Sequence, residues 1–353
     1  MKLKYLKLLP LAAIVAPTLI SCGQQKDPTI EEINNLLQTP EKYGIVLQED
    51  GYLVDSPTVF NYNGKWYMTY IAISEETSTS GYESYIAEST DLVNWTNRRK
   101  IFSREPETTH WDSAQVAAYM GFVENDLFGD YKLQKVKDKF YLSYLGGSAD
   151  GYEAGTLSVG EAWCSDPSDI TSYHKFSAPI LAPTDTDARE GENFTIYKSS
   201  MFIDNSKKLG HKYVCFYNAK GIKGDEKSPE TIFIAVSDDA EHWHRYYDTS
   251  VYKDPEAAIT GDAMILKYHQ TYIMIYFTLK NGKTCDTFAI SKDLIHWTPW
   301  TGAPLIESTK DYDAKYAHKP SIVYKDGILY HFYCAVDNND KRCIALATSK
   351  PLK

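Results

Sequence analysis

An aromatic-rich hairpin ending on tyrosine recurs five times along the chain: GKWYMTY closes on Tyr70, DKFYLSY on Tyr144, HKYVCFY on Tyr217, QTYIMIY on Tyr276 and GILYHFY on Tyr333. Successive tyrosines lie 57 to 74 residues apart. That step is too long for a helical solenoid and suits a four-stranded propeller blade with its loops. A second motif, A-x-S-x-D and then Trp, follows the hairpin at Trp95, Trp243 and Trp297. The second repeat carries a degenerate copy, CSDPSDI, and the fifth stops at ALATSKPL. The expected fold is therefore all-β: a five-bladed β-propeller of four-stranded antiparallel blades. The 28 Tyr, 13 Phe and 7 Trp suit pleated, half-buried surfaces, and the apolar runs alternate with period two.

Residues 43–353 are expected to form this single domain, preceded by a tether and short helix over 22–42. The fifth repeat lacks the outer strand found in the others, which would leave a sheet edge open. Tyr43–Gln48, an apolar run ahead of the first blade, is the segment expected to complete it. Residues 1–21 read as a lipoprotein signal peptide: Lys2, Lys4 and Lys7 precede the apolar Leu8–Ile20, and Leu19-Ile20-Ser21-Cys22 resembles a bacterial lipobox. Cleavage would leave Cys22 as the lipidated first residue, anchoring the protein in the bacterial cell envelope, facing the periplasm or on the outer-membrane surface. Losing those three lysines takes the net charge from −10 to −13, a balance that argues against nucleic acid as a partner. A monomer touching the membrane only through its anchor is expected.

Of the five remaining cysteines none has CxxC spacing, so no metal site is implied. Cys334 and Cys343, on neighbouring strands of the last blade, are the one pair within reach of a disulfide. Dinucleotide, phosphate-loop, nucleophile-elbow and zinc-protease motifs are absent.

In a propeller the first strand of each blade lines the channel, so chemistry is expected where those strands begin. Counting back from the tyrosines gives Asp55 for blade 1, Asp130 and Lys132 for blade 2, Lys198 for blade 3, Asp262 for blade 4, and His318 and Lys319 for blade 5. Asp55 and His318 sit one position further from their tyrosine than Asp130, Asp262 and Lys319. Neighbouring strand positions point opposite ways, so these residues need not share a face. Glu192 arrives on the acidic loop before blade 3, a loop that could equally be solvated or hold a structural calcium ion. Trp111 and Asp112, in the insertion before blade 2, have the chemistry to stack on a sugar ring and take its hydroxyls.

Asp-x-Pro at Asp55–Pro57, Gly-Lys-x-Tyr at Gly64–Tyr67 and Ser-x-Asp-Leu-x-x-Trp at Ser89–Trp95 resemble glycoside hydrolase family 43 and its relatives, in a layout covering roughly residues 50–350. The resemblance implies that Asp55 is the general base, with a second Asp tuning the acid and a Glu opening a later blade as the acid. The sequence departs from that pattern by placing Asp262 where Glu belongs and Lys198 where Asp belongs. Asp262 with His318 is similar instead to family 117, in which the His is thought to be the acid. The proton donor is left between Glu192 and His318, with Asp262 holding or tuning it, and Lys132, Lys198 and Lys319 as substrate contacts. The expected activity is exo-acting, inverting hydrolysis of glycosidic bonds in an oligosaccharide or polysaccharide, without a cofactor. A glycoside phosphorylase, whose three lysines would clamp phosphate, and a non-catalytic glycan-binding propeller are the alternatives.

Overall fold

A computed structural model describes residues 27–352; the signal segment and Cys22 lie outside them. Five antiparallel sheets, each with a four-stranded path, are arranged as blades around one channel, and the fourth blade adds a short strand, Ile306–Glu307, beside its third. The inner strands are Tyr52–Tyr62, Gln115–Met120, Thr195–Ile203, Ile259–Tyr268 and Tyr316–Lys325. Their N-terminal ends surround the mouth. The ring is closed by Glu41–Leu47, which pairs antiparallel with Arg342–Thr348 and supplies the fourth strand of blade 5. Ahead of it the helix Ile30–Leu37, capped by a reciprocal Thr29–Glu32 box, buries Ile33 and Leu37 against blades 1, 4 and 5.

Both sequence repeats have structural causes. In the Ser-x-Asp turns the serine hydroxyl accepts the backbone N–H groups two and three residues on, and the aspartate accepts the two that follow: Ser89 and Asp91 in blade 1, Ser237 and Asp239 in blade 3, Ser291 and Asp293 in blade 4. Each turn delivers its tryptophan to the preceding blade. Trp95 meets Phe332 edge-on, the Trp243 indole N–H donates to Glu161, and Trp297 meets Phe216. Each repeat tyrosine, meanwhile, donates its hydroxyl to a carboxylate: Tyr70 to Glu49 (2.9 Å), Tyr144 to Asp112 (3.0 Å), Tyr217 to Glu192 (2.6 Å), Tyr276 to Asp254 (2.9 Å) and Tyr333 to Asp313 (2.9 Å). A cation pairs with every one of those carboxylates, namely Arg98, Lys175, Arg245, Lys280 and Lys42 in blade order. This ring of tyrosine, carboxylate and cation explains why the hairpin always ends on the same residue. A buried phenol needs an acceptor, and a buried carboxylate needs a counter-charge.

The far end of the channel is closed. Residues 121–139, between the first two strands of blade 2, run beneath all the other blades. Tyr131 O accepts from Asn61 N–H of blade 1, Phe122 N–H donates to Met201 O of blade 3, Leu127 N–H donates to Lys267 O of blade 4, and Phe128 packs on Tyr324 of blade 5. All five described cysteines are free. Cys334 and Cys343 hydrogen-bond in different directions, to Val54 O and Ala335 O, and no disulfide joins them.

Candidate active site

Four of the five inner strands carry a β-bulge at the same height: between Asp55 and Thr58, Ile196 and Ser199, Gly261 and Met264, and His318 and Ser321. The bulges re-aim the side chains at these points. Ser56, Asp262 and Lys319 take positive φ values of 48°, 54° and 67° there. With Lys198 they turn inward and help line a cavity of roughly 220 Å³. Tyr82, Tyr119, Tyr152, Glu153, Asn218, Glu230, His318 and Arg342 complete much of its wall. Asp262 and Lys198 also border a smaller space of about 60 Å³ beneath, which ends on the residue 121–139 floor.

Asp55 lies under this cavity with no exposed surface. Its Oδ2 accepts from Lys319 Nζ (2.9 Å), Arg342 Nη1 (3.0 Å) and the Tyr152 hydroxyl (3.1 Å), while Oδ1 accepts the Ser56 N–H (2.7 Å). Burial works to raise its proton affinity, but Lys319 and Arg342 more than reverse that and hold the carboxyl far below its usual range. His318 shows the opposite balance. Its Nδ1 donates to Cys334 O at 3.2 Å, and burial, helped by the positive charge of Lys319, pushes it down to about 3. At neutral pH it is an uncharged imidazole.

Glu230, at the mouth end of blade 3, stands apart among the carboxylates of the wall. It is 4% exposed. Burial, with added repulsion from Glu153 and Asp262, outweighs the attraction of Lys220 and raises it to about 7. Its Oε1 accepts from Asn218 Nδ2, and Lys220 Nζ stands 3.3 Å from Oε2. Glu153 is the more open carboxylate, with 30% of its side chain exposed and Lys319 Nζ at 3.5 Å. Asp262 has Lys198 Nζ at 3.5 Å from Oδ2 and makes no hydrogen bond through that oxygen. The chamber thus holds one carboxylic acid poised to release a proton near neutrality, beside ionisable partners of its own kind, an arrangement suited to acid–base chemistry.

A solved structure of BT0996, named as a complex with RGII, matches with a TM-score of 0.84 at 39% identity, over 91% of this protein and 95% of its own length. A second, named "Glycoside hydrolase", matches with a TM-score of 0.84 at 38% identity over 92% and 97%. This protein belongs to the glycoside hydrolases. The hydrolase also shares its fold with a thermostable family-43 glycoside hydrolase, at a TM-score of 0.60 and 15% identity over 87% of its length and 96% of the other. No protein-family model matches it and no curated protein does.

The hydrolase's cavity gathers Lys198, Asp262, His318 and Lys319, with Asp55 beneath them, and leaves out the other residues singled out in the sequence. Glu192 is sealed in the tyrosine ring, fully buried between Arg189 (2.8 Å) and Arg245 (2.7 Å), and does not border the chamber. Arg245 also takes Asp185 and Asp187, so arginine answers part of the acidic loop's charge. Among the described residues no cluster of three or more His, Cys, Asp or Glu is arranged to hold a metal ion. Asp112 belongs to the same ring, held by Tyr144 and Lys175, and Trp111 stacks on Tyr144 with ring centres 5.5 Å apart. Asp130 and Lys132 pair with each other in the floor segment, exposed to solvent. The inner strand of blade 2 begins instead at Gln115.

Glu230, Glu153, Tyr152 and Arg342 were not found by counting to strand starts. Glu230 immediately precedes the third strand of its blade, Thr231–Ser237, Arg342 starts the third strand of blade 5, and Tyr152 and Glu153 sit in the loop after Gly147. The available signal was proximity to the mouth, which every second-to-third-strand connection of a blade shares with the inner-strand starts.

Proposed function

We propose that this glycosidase removes sugars from the ends of a glycan, with Glu230 protonating the departing oxygen and Glu153 as the second carboxylate. The observation that carries the reading is the carboxyl of Glu230, buried in the chamber wall and raised to about 7. A group of that acidity is protonated enough to donate at neutral pH and ionises readily afterwards. Glu153 suits the second role because it is open to the chamber and close enough to raise Glu230. Asp55, the base expected from the sequence, is a poor proton acceptor under Lys319 and Arg342, and serves better as the anchor that orients them. His318, uncharged at working pH, contacts substrate rather than donating a proton. The closed floor favours action on glycan ends, since a polysaccharide cannot thread the channel. Inversion at the anomeric carbon is kept as the expected outcome, and RGII, named with one relative, is the first substrate to try.

The phosphorylase reading loses support because Lys132 lies outside the chamber and Lys319 is occupied by Asp55. Cys22 lipidation is proposed as the attachment to the envelope, with a monomer as the working unit. Asp27, next to the tether, pairs with Lys292 on the face away from the mouth, an arrangement that would present the chamber outward. Incubating wild type, Glu230→Gln and Glu153→Gln with RGII oligosaccharides, with and without phosphate, tests the proposal; product anomers are followed by NMR. Loss of cleavage in both variants and no need for phosphate is the expected result. Full activity in Glu230→Gln would overturn the assignment of the acid.

A further inference from the structure

Glu230 is not held by burial alone. Ala219 pairs with Thr231 across the second and third strands of blade 3, so the next residues along each strand, Lys220 and Glu230, face each other at the ladder's end. Asn218, two residues before Lys220, lies on the same side of its strand. The orientation of its amide is fixed by chemistry. Its Oδ1 accepts the Asp262 N–H at 3.2 Å, and a backbone N–H can only donate, so Nδ2 is the atom that meets Glu230 Oε1. Oε1 is therefore always an acceptor, which favours Oε2 as the oxygen that carries the acid proton. Lys220 Nζ stands 3.3 Å from that same oxygen. Glycine at 261 makes room for this pair: a Cβ there would come within 2.8 Å of Asn218 Nδ2 and 3.0 Å of Glu230 Oε1 and push them out of place.

We propose that Asn218 and Lys220 are positioning residues for the reaction: Asn218 confines the proton to one oxygen of Glu230, and Lys220 stabilises the carboxylate left on that oxygen when the proton departs. The inference rests on Glu230 being the acid. Asn218 also ties the acid to the bulge bearing Asp262, so the two carboxylates keep their relation through the turn of the strand. Lys220 is itself placed by the face of Tyr197, with Nζ 5.1 Å from the ring centre. The charged and titratable groups facing Glu230 are then Lys220 from its own blade, Tyr197 from the inner strand, Asp262 from blade 4 and Glu153 from blade 2. Of these Lys220 alone is a cation, so it alone opposes burial by charge, and Asn218 opposes it by hydrogen bond.

The test is a titration of the full-length protein carrying ¹³C-labelled glutamate carboxyls, with the Glu230 resonance assigned by its absence from Glu230→Gln. Lys220→Met is expected to raise the Glu230 midpoint by about one unit, a tenfold gain in proton affinity, and the alkaline limb of kcat/KM should move with it. Lys220→Arg is expected to restore both. Asn218→Leu should raise the midpoint and lower kcat more than it changes KM. Lys220→Gln, matched in length and uncharged, replaces the methionine variant if that one does not fold. A Glu230 midpoint equal in wild type and in the uncharged variant would overturn the proposal. A wild-type Glu230 that does not titrate near neutrality would sink the acid assignment instead, while the difference between wild type and variant would still decide the role of Lys220.

Discussion

Lys319 Nζ lies 2.9 Å from Asp55 Oδ2 across the junction of the last blade with the first, and Arg342 Nη1 shares the same oxygen at 3.0 Å. One fully buried carboxylate therefore holds two cations beneath the chamber, and all three are placed by bulged or adjoining strands around the ring's seam. Asp55→Asn keeps the volume but leaves two positive charges facing each other out of water. Breaking one side of a buried pair costs roughly 3–5 kcal/mol, so the variant should unfold at distinctly lower denaturant concentration and lose activity together with stability. Because the folded carboxyl is held below its unfolded range, this contribution is present above the unfolded value of 3.8 and is lost as pH falls below it. Urea midpoints of wild type and variant should therefore differ widely at pH 7 and converge in strong acid. Equal midpoints at pH 7 would contradict this account.

Glu192 gives the contrasting case, a buried carboxylate with a structural partner set and no access to substrate. Glu192→Gln should lower the thermal midpoint, because Arg189 and Arg245 lose their shared counter-charge. At temperatures where the variant remains folded, kcat/KM is expected to stay within about twofold of wild type, a change of under half a kcal/mol. A large fall in kcat with unchanged stability would return Glu192 to the catalytic machinery.

These two residues mark how far the sequence could be read. The five blades were legible because the repeat tyrosine meets a carboxylate in every blade and the motif tryptophan does the same packing work in three of them. Counting back from a tyrosine located Asp55, Asp262, Lys319 and His318 because blades 1, 4 and 5 join their first two strands by short turns, as at Asn63-Gly64 and Asp326-Gly327. The same count failed in blade 2, where residues 121–139 are inserted into that hairpin, and it returned Asp130 and Lys132 from the floor. The register question between Asp55 and Lys319 is answered by the bulges, which no alternation pattern reveals. Glu192 and Asp112 resembled site residues in sequence because an acidic side chain near the mouth looks alike whether it meets a sugar or a tyrosine hydroxyl. Glu230 stayed hidden for the converse reason. Its acidity comes from burial and from Glu153, 77 positions away in the sequence, and neither can be read from Ser-Pro-Glu-Thr.

His318 should be silent in the pH profile. Its imidazole is pushed down to about 3, by burial first and Lys319 second, and its Nδ1–H is committed to Cys334 O. No change in its charge is expected between pH 5 and 9, so His318→Asn should alter kcat or KM through lost substrate contact and leave both limbs of the profile where they are. A limb near pH 6 to 7 that disappears in His318→Asn would show that the histidine titrates in the working range after all. Wild-type and variant pH profiles on one substrate decide between these outcomes.

Glu230 should leave its own mark on stability, with a sign opposite to that of Asp55. Its folded carboxyl is raised from 4.5 to about 7, so the unfolded protein gives up the proton first as pH rises. The stability held below the unfolded value is lost progressively until the folded group ionises near pH 7. A shift of that size corresponds to about 3 kcal/mol, and Glu230→Gln, which cannot ionise, should remove it. Denaturation of wild type and variant at pH 4 and pH 8 provides the comparison: the variant should gain on wild type by up to about 3 kcal/mol between the two. Because every other ionisable group is present in both proteins, the difference reports chiefly on Glu230. A difference that stays flat from pH 4 to pH 8 would mean that Glu230 titrates like an ordinary surface carboxylate, and its role as the proton donor would have to be given up.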